Sequence, residues 1–446
     1  MIGLARKLRA ADYFTLGFGT MVGVGWLVLM DDWLRRGGPV GVMLGFAIGG
    51  LALLPIALVY GRLVVAMPDA GSEIAYTARV FPPGVSFAAG WIMMLAYLIV
   101  CPWEAVAVGR LAAYVFPGLD VFEIYRVGGK PVYLPDLLLG LALTAAITLI
   151  NYRGIRLSAS FQKWMTFALL ALFVAFALSA FGRGSLQNFH PPFSQGGPLS
   201  VLLVLQIVPY FMTGFESVPK CAEEASPEFR SGGFFRAILL ALGVGVLFYT
   251  SVVALVAYLR PWPMLATHRF ATAVAFEQAF RDHRMVDLLL LAALLSLVKI
   301  FNGNFVAASR LLFALGRRGL VPPAFGRVHE RNLTPSVAVL ALGGATALAT
   351  CLGDAILVPI TEVGSMASAL GWLAACAAYL CLRPSAGERA LAVAGLAVAA
   401  LLVLMKLLPA VPGHFTRSEW IALSIWAAAG LAMRRAGGRS SPMART

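Results

Sequence analysis

Charged side chains are scarce in this chain. Only 13% of its 446 residues are Asp, Glu, Lys or Arg, whereas 60% are hydrophobic. The mean hydropathy is +0.83. Typical soluble domains contain about 25% charged residues, so this composition excludes an ordinary soluble protein. It indicates a protein that crosses a lipid bilayer several times.

Cysteine and histidine are also rare, with five residues of each. No histidine stands at metal-ligand spacing from a cysteine, so we interpret the cysteines as buried structural thiols. The histidines all fall in predicted loops or at segment ends, which argues against the catalytic cluster of a membrane enzyme. The sequence has no phosphate-binding GxxxxGK[ST] run. We therefore expect no catalytic residue, no cofactor and no metal ion.

Long apolar runs, by contrast, fill most of the chain. Twelve segments of about 20 residues can be read from the sequence. They lie near 12–35, 40–66, 84–115, 134–151, 156–181, 199–224, 234–259, 285–316, 335–352, 356–382, 388–409 and 419–434. An even number of crossings leaves both termini on one side of the membrane.

Lysine and arginine are nearly twice as frequent in the loops on the side of the termini as in the loops opposite. The positive-inside rule then predicts cytoplasmic termini and a multi-pass protein of the cell membrane. The net charge of +14 lies mostly beside the anionic cytoplasmic leaflet and requires no nucleic-acid partner.

Two of the apolar segments carry glycine near their middle. Gly23, Val24 and Gly25 interrupt the first segment, and Thr213 and Gly214 interrupt the sixth. Glycine loosens the helix, and irregular backbone is tolerated inside a membrane only where it lines a cavity. A pair of such breaks at matching places in two halves predicts a binding site near the bilayer midplane.

The positions of the two breaks suggest an internal repeat. Residues 11–182 hold segments 1–5, and residues 199–383 hold segments 6–10. Five crossings reverse the starting side, so the two repeats would have opposite orientations, as in many secondary transporters. Residues 386–435 add segments 11 and 12. We expect one transmembrane transporter domain over residues 1–446.

Five short motifs occur in order along the chain, at residues 19–26, 67–76, 151–159, 214–224 and 302–310. They read GTMVGVGW, MPDAGSEIAY, NYRGIRLSA, GFESVPKCAEE and NGNFVAASR. Together they resemble the amino acid–polyamine–organocation superfamily, and in particular its amino acid permeases. One departure is Arg62, which stands where relatives often carry a glutamate. The resemblance implies an all-α fold of the leucine-transporter type, with 12 transmembrane helices in a 5+5 inverted repeat plus two C-terminal helices.

The resemblance also implies alternating access and a small-molecule substrate, an amino acid or a related amine. Main-chain NH groups at a half-helix N-terminus suit a carboxylate, and the carbonyls freed at residues 211–214 suit an ammonium group. We predict a substrate site at Val22, Gly23, Val24, Gly25, Trp26, Phe211, Thr213, Gly214 and Phe215. Trp26 and Phe215 would close over the substrate as gates, or else only pack as aromatic side chains. A second reading of Gly23 and Gly25 is that they only permit close helix packing.

Three charged side chains within the predicted segments are candidates for a role in coupling. Lys299 lies in the middle of the eighth, where a charge costs about 2.5–3.5 kcal/mol. Its ammonium would occupy the space of a sodium ion, which in relatives a lysine of the fifth helix fills. Glu104 and Glu216 are candidate proton carriers. The other readings are a Lys299 that pairs structurally, a Glu216 that braces the broken helix, and a Glu104 that makes a structural hydrogen bond.

These features together predict secondary active transport of amino acids or small amines, coupled to protons or by exchange. A polyamine, organocation or ethanolamine-type amine permease is the alternative. A channel would require a continuous polar filter, and a membrane enzyme a catalytic cluster, so both fit less well. The substrate and the oligomeric state are not specified by these patterns.

Overall fold

The computed structural model describes residues 3–411 and 413–440, and most of them are helical. Nineteen α-helices are found in this part of the chain. They are α1 (Ala10–Met21), α2 (Gly25–Val28), α3 (Met30–Ala66), α4 (Glu73–Ala78), α5 (Pro83–Leu98), α6 (Val100–Val115), α7 (Leu134–Arg153), α8 (Ile155–Ala180), α9 (Gly197–Leu205), α10 (Val208–Met212), α11 (Ser217–Lys220), α12 (Gly232–Leu259), α13 (Trp262–Leu265), α14 (Ala271–Phe280), α15 (His283–Arg317), α16 (Ser336–Thr350), α17 (Leu357–Cys381), α18 (Ala386–Leu407) and α19 (Arg417–Ser440).

Eight helical segments of the described chain are long and apolar enough to cross a membrane. They are Met30–Ala66, Pro83–Tyr114, Leu134–Arg153, Ile155–Ala180, Gly232–Leu259, Arg284–Arg317, Ile360–Cys381 and Ala386–Leu407. This supports the prediction of a multi-pass membrane protein. The other four predicted segments take different forms: the first and sixth are divided, the ninth is the 15-residue α16, and the last forms α19.

One short hairpin accompanies the helices. Strands β1 (Glu123–Val127) and β2 (Lys130–Tyr133) form an antiparallel pair between α6 and α7. Gly128 and Gly129, which join the strands, both have positive φ, as a tight hairpin turn requires. The search for long apolar segments did not detect this hairpin, because its strands are short and mix polar with apolar residues.

A sharp turn at Gly38 lies where the first two predicted segments meet. Within α3, residues 30–37 and 39–66 are helical, and only Gly38, with φ 63° and ψ 171°, departs from helical geometry. Trp33 and Phe46 lie on either side of this turn with their ring centres 5.1 Å apart, so the two parts of α3 fold against each other. A Cβ atom at Gly38 would lie 2.7 Å from the Ser194 nitrogen, so the turn packs closely against the chain before α9.

Helix α1 occupies the middle of the molecule, where it packs against α8, α12 and α15. α10 contacts α3 and α17, so both interrupted segments are enclosed by longer helices. An aromatic cluster of Trp33, Phe46, Phe211 and Tyr249 fills the core beside them. At the other end of α3, Arg62 pairs with Glu388 of α18 at 3.4 Å. Arg62, which stands where relatives often carry a glutamate, thus pairs with an acidic residue of α18.

Candidate functional site

The first interruption lies between α1 and α2. Helical geometry ends at Met21, Val22 is extended with φ −96° and ψ 106°, and α2 starts at Gly25. As the first residues of α2, Gly25 and Trp26 present NH groups that have no partner within that helix. Both are buried, so these donors face the interior of the protein.

The carbonyl groups released at this interruption are bonded by side chains of α15. Ser296 Oγ donates to the Gly23 carbonyl at 2.8 Å, and Asn304 Nδ2 donates to Thr20 at 3.0 Å. Between them, Lys299 Nζ donates to the Val22 carbonyl at 2.5 Å. One face of α15 therefore holds the broken end of α1 through three polar side chains.

Lys299 makes further contacts that account for its burial. Its ammonium donates to the Gly19 carbonyl at 3.3 Å and lies 5.1 Å from the centre of the Phe18 ring. It also interacts electrostatically with Glu104. The two hydrogen-bond acceptors of the ammonium are main-chain carbonyl oxygens, which are also a common type of ligand for small cations.

The second interruption lies between α10 and α11. Thr213 is extended, with ψ 124°, and Gly214 has φ 149°. Glu216 spans the break, because its Oε2 accepts a hydrogen bond from the Gly214 NH at 3.0 Å. The Thr213 hydroxyl donates back to Pro209 at 2.6 Å and lies against Ser368 Oγ of α17. The break is thus fixed by side chains on both sides.

A small cavity separates the two interruptions. Its volume is about 10 Å³, which is about the space needed to hold one water molecule. The lining residues are Thr20, Met21, Gly23, Gly25, Val100, Trp103, Glu104, Tyr210, Phe211, Thr213 and Ile300. An amino acid is much larger than this space, so the site is closed in this conformation.

Phe211 closes the cavity on one side. A Cβ atom at Gly25 would lie 2.6 Å from Phe211 Cε1, so the ring rests directly on the glycine. Phe211 also lines a second cavity of about 200 Å³, which contains Asp31, Arg35 and Arg110. This ring therefore lies between the closed cavity and the larger one.

The structure gathers only some of the predicted site residues around the closed cavity. Gly23, Gly25, Phe211, Thr213 and Glu104 line it. The remaining predicted residues do not line the cavity. They are Val22 and Lys299, joined by their hydrogen bond, Val24, which caps α2, Trp26, Gly214, Phe215 and Glu216.

The two aromatic residues predicted as gates pack elsewhere. Trp26 meets the edge of Phe248 with ring centres 6.3 Å apart. Phe215 stacks on Trp372 at 5.8 Å. The ring found between the cavities belongs to Phe211, which the sequence assigned to substrate contact.

Ion pairs cover the opposite side of the second interruption. Arg317 donates to both carboxylate oxygens of Glu223, at 2.8 and 2.5 Å, and Arg318 donates to Asp69 at 2.8 Å. Deeper in the protein, Arg310 pairs with Glu224 at 2.9 Å, both side chains being fully buried. The pairs with Glu223 and Glu224 join α15 to the segment after α11, and the pair with Asp69 joins the end of α15 to the loop before α4.

Sequence analysis missed a buried pair at the end of α11. Lys220 Nζ donates to Glu73 Oε1 at 2.5 Å, and neither side chain is exposed. Lys220 lies near the end of the sixth predicted segment, and its short distance from Gly214 along the chain is a signal that it is buried.

Comparison with known proteins gives the same family along nearly the whole chain. The model of the amino acid permease family matches residues 9–430. The branched-chain amino acid permease BcaP of Bacillus subtilis is 26% identical over 381 residues, which cover 83% of this chain and 79% of that protein. The amino-acid permease RocE of the same organism is 22% identical over 380 residues, with the same coverage of 83% and 79%.

A third relative extends the range of named substrates. The gamma-aminobutyric acid permease of Escherichia coli is 24% identical over 360 residues, covering 77% of this chain and 72% of that protein. The match to the family over residues 9–430 confirms the resemblance seen in the five motifs. The chain belongs to the amino acid permease family, within the amino acid–polyamine–organocation superfamily.

Proposed function

We propose that this protein is a secondary active transporter that carries an amino acid across the cell membrane by alternating access. The observation that supports it is the meeting of two helix interruptions around a closed cavity lined by Gly23, Gly25 and Thr213. The relatives BcaP, RocE and the gamma-aminobutyric acid permease are named for amino acid transport.

The proposed substrate binds as a zwitterion between the two interruptions. Its carboxylate meets the NH groups of Gly25 and Trp26, where the partial positive charge of a helix N-terminus favours an anion. Its ammonium group meets the carbonyls of Phe211 and Met212, which have no partner within α10. Phe211 must turn away from Gly25 to make room for the substrate, so we propose that this ring is the outer gate of the site.

We further propose that transport is independent of sodium. Lys299 Nζ bonds the Val22 and Gly19 carbonyls, and a sodium ion would need those oxygens as ligands. Protons or exchange of one substrate for another would then drive the cycle. Glu104 and Glu216, both fully buried, are the proposed proton carriers.

The membrane arrangement is proposed as twelve helices with an inverted 5+5 repeat. α1–α3 supply the first two, and the divided α9, α10 and α11 supply the sixth. The repeats would cover residues 11–182 and 199–383, followed by the last two helices within 386–435. Both termini would face the cytoplasm, in line with the distribution of lysine and arginine.

Small amines without a carboxylate are the second candidate class. Glu104 lines the cavity, and its Oε2 has no hydrogen-bond partner within residues 3–411 and 413–440. A buried carboxylate is costly unless it is paired, so it favours a ligand with an ammonium group. Polyamines and ethanolamine-type amines share this group with amino acids.

Uptake by purified protein in liposomes separates these possibilities. A panel of labelled amino acids and amines is tested for saturable uptake and for counterflow, first in sodium and then in choline. Amino acid uptake that saturates, shows counterflow and survives the exchange of sodium for choline is expected. Uptake of amines alone would select the second class, and an unsaturable flux without counterflow would refute the carrier.

A further inference from the structure

A fully buried cluster of ionisable side chains follows the second interruption. Glu73 Oε1 accepts one hydrogen bond from Lys220 Nζ at 2.5 Å and another from the Tyr60 hydroxyl at 2.6 Å. Lys220 also donates to the main-chain carbonyl of Glu216 at 2.8 Å. Glu73, Glu216 and Lys220 are all 0% exposed. Their charges must therefore be balanced inside the protein.

The cluster contains two carboxyl groups and one ammonium group. The other titratable groups around it are Tyr60 on α3, Tyr76 on α4, Tyr97 on α5, Tyr13 on α1, Cys221 after α11, and the pair of Arg310 and Glu224. Phenol and thiol groups are neutral near pH 7, and the last pair balances its own charge. With both carboxyls ionised, the cluster would carry one uncompensated negative charge.

Two carboxylate oxygens of the cluster make no hydrogen bond to the described residues. They are Glu73 Oε2 and Glu216 Oε1. An ionised carboxylate buried without enough donors is strongly destabilised, and protonation replaces this penalty by the smaller one of burying a neutral polar group. One of the two carboxyls is thus expected to hold a proton in this conformation.

The contacts of the two carboxyls differ. Glu73 receives an ammonium and a hydroxyl on one oxygen, which stabilises its ionised form. The Glu216 carboxyl receives main-chain NH groups, including that of Gly214 at 3.0 Å, whereas the Lys220 ammonium donates to the main-chain carbonyl of Glu216. The Tyr97 hydroxyl lies beside Glu216. The proton is therefore best placed on Glu216.

We propose that Glu73, Glu216 and Lys220 form a site that binds one proton, with the proton on Glu216 Oε1 and Lys220 as the positioning residue. This rests on the proposed function and specifies its coupling site. Loss of the proton returns one negative charge to the cluster. Because Glu216 also holds Gly214 at the helix break, that charge acts directly on the backbone that encloses the substrate.

Counting charges predicts opposite changes in carboxyl protonation when Glu73 or Lys220 is replaced. In Glu73→Gln, Lys220 has no anion left except Glu216, which therefore ionises. In Lys220→Met, both carboxyls lose their cation, so both take up a proton. In the double variant Glu73→Gln/Lys220→Met, Glu216 is again the single carboxyl and again holds a proton. A merely structural role for the pair would not produce this alternation.

Infrared spectroscopy of the purified full-length protein in lipid, recorded near pH 7 without substrate, measures these states. A buried protonated carboxyl gives a carbonyl stretching band that shifts in D2O. Relative to the spectrum of the unmodified protein, one such band is expected to be absent in Glu216→Gln and in Glu73→Gln. The band is expected to double in Lys220→Met and to return to its original size in the double variant. Glu104→Gln, in a different cavity, is expected to leave this band in place.

A band that survives in Glu216→Gln, or that is unchanged in Glu73→Gln, would overturn the proposal. Melting curves and gel filtration identify which of these four variants are folded. Any two folded variants suffice to test the charge count. The spectra require no transported substrate, so they stand apart from the uptake assay. Absence of amino acid uptake with an intact band pattern would refute the function and leave the proton site. Amino acid uptake without the expected band pattern would refute the proton site and leave the proposed function.

Transport gives a second readout of the same site. In the unmodified protein, uptake at about pH 6 and uptake at about pH 8 are expected to differ, because a proton is carried at this site. In Glu216→Gln the ratio of uptake at these two pH values is expected to fall to about one. An unchanged ratio in this variant would contradict the site.

Discussion

Gly214 lies directly against the main chain of Met21. A Cβ atom at Gly214 would be 2.5 Å from the Met21 nitrogen, and the φ angle of Gly214 is 149°. The two interrupted helices therefore touch backbone to backbone at their breaks. Since no flexible side chain lies in this contact, neither helix can move there without displacing the other.

Gly214→Ala is expected to abolish uptake and to lower the melting temperature. The added methyl group collides with backbone atoms and also requires a φ angle that alanine rarely adopts, at a cost of about 1–3 kcal/mol. Gly243→Ala is the matched control, because a Cβ atom there meets nothing within 4 Å and α12 gains a better helix former. An active, normally stable Gly214→Ala protein would show that the two breaks are not in tight contact.

Gly25→Val is expected to fold but to lose substrate binding. Its new side chain meets the ring of Phe211, 2.6 Å from the Cβ position, and a ring can shift where a backbone cannot. The added volume then fills the space proposed for the substrate carboxylate, and affinity falls at least about tenfold, or about 1.4 kcal/mol.

Ligand-induced melting shifts measure this loss, since a ligand stabilises the folded state by mass action. Gly344→Val on α16, where a Cβ atom has no neighbour within 4 Å, is expected to keep the full shift. A normal shift in Gly25→Val would remove the first interruption from the binding site.

Lys299→Ala is expected to reduce net uptake strongly. It leaves the Val22 and Gly19 carbonyls without their ammonium donor. Lys299→Arg is expected to fail as a rescue, because a guanidinium is larger and does not deprotonate. Lys130→Ala, on the exposed hairpin, is the control and should transport normally. Near-normal uptake by Lys299→Ala, or sodium-dependent uptake by the unmodified protein, would refute the coupling role.

Arg317→Gln is expected to loosen the segment after the second interruption. It removes both hydrogen bonds to Glu223 and a contact with Asp69. Partly exposed pairs of this kind contribute about 0.2–1 kcal/mol each, so the expected result is an increase of a few-fold in amide hydrogen exchange over residues 213–224. Arg126→Gln, which breaks an exposed pair on the hairpin, should leave exchange there unchanged. Equal exchange in Arg317→Gln and the unmodified protein would show that these pairs do not hold the segment.

Much of the architecture could be predicted because membrane spans are a local property of the sequence. A long apolar run must bond its own backbone in lipid and so becomes a helix, which is why α7, α8, α12 and α18 lie close to predicted segments. The form of the connection between the first two segments could not be predicted in this way. Contact with the chain near Ser194 determines that this connection is a sharp turn at Gly38.

Some features of the candidate site could likewise be predicted from the sequence, and others could not. The sequence by itself marked Gly23, Gly25 and Gly214, because glycine in an apolar run weakens a helix whatever surrounds it. It could not place Phe211 on Gly25 or bring Glu73 to Lys220, residues that are 147 positions apart along the chain. Side-chain contacts of that kind depend on how whole helices pack, and a charged residue near a segment end looks the same in sequence whether packing buries it or not. Local chemistry therefore determined where the helices break, and tertiary packing decided which charges face those breaks.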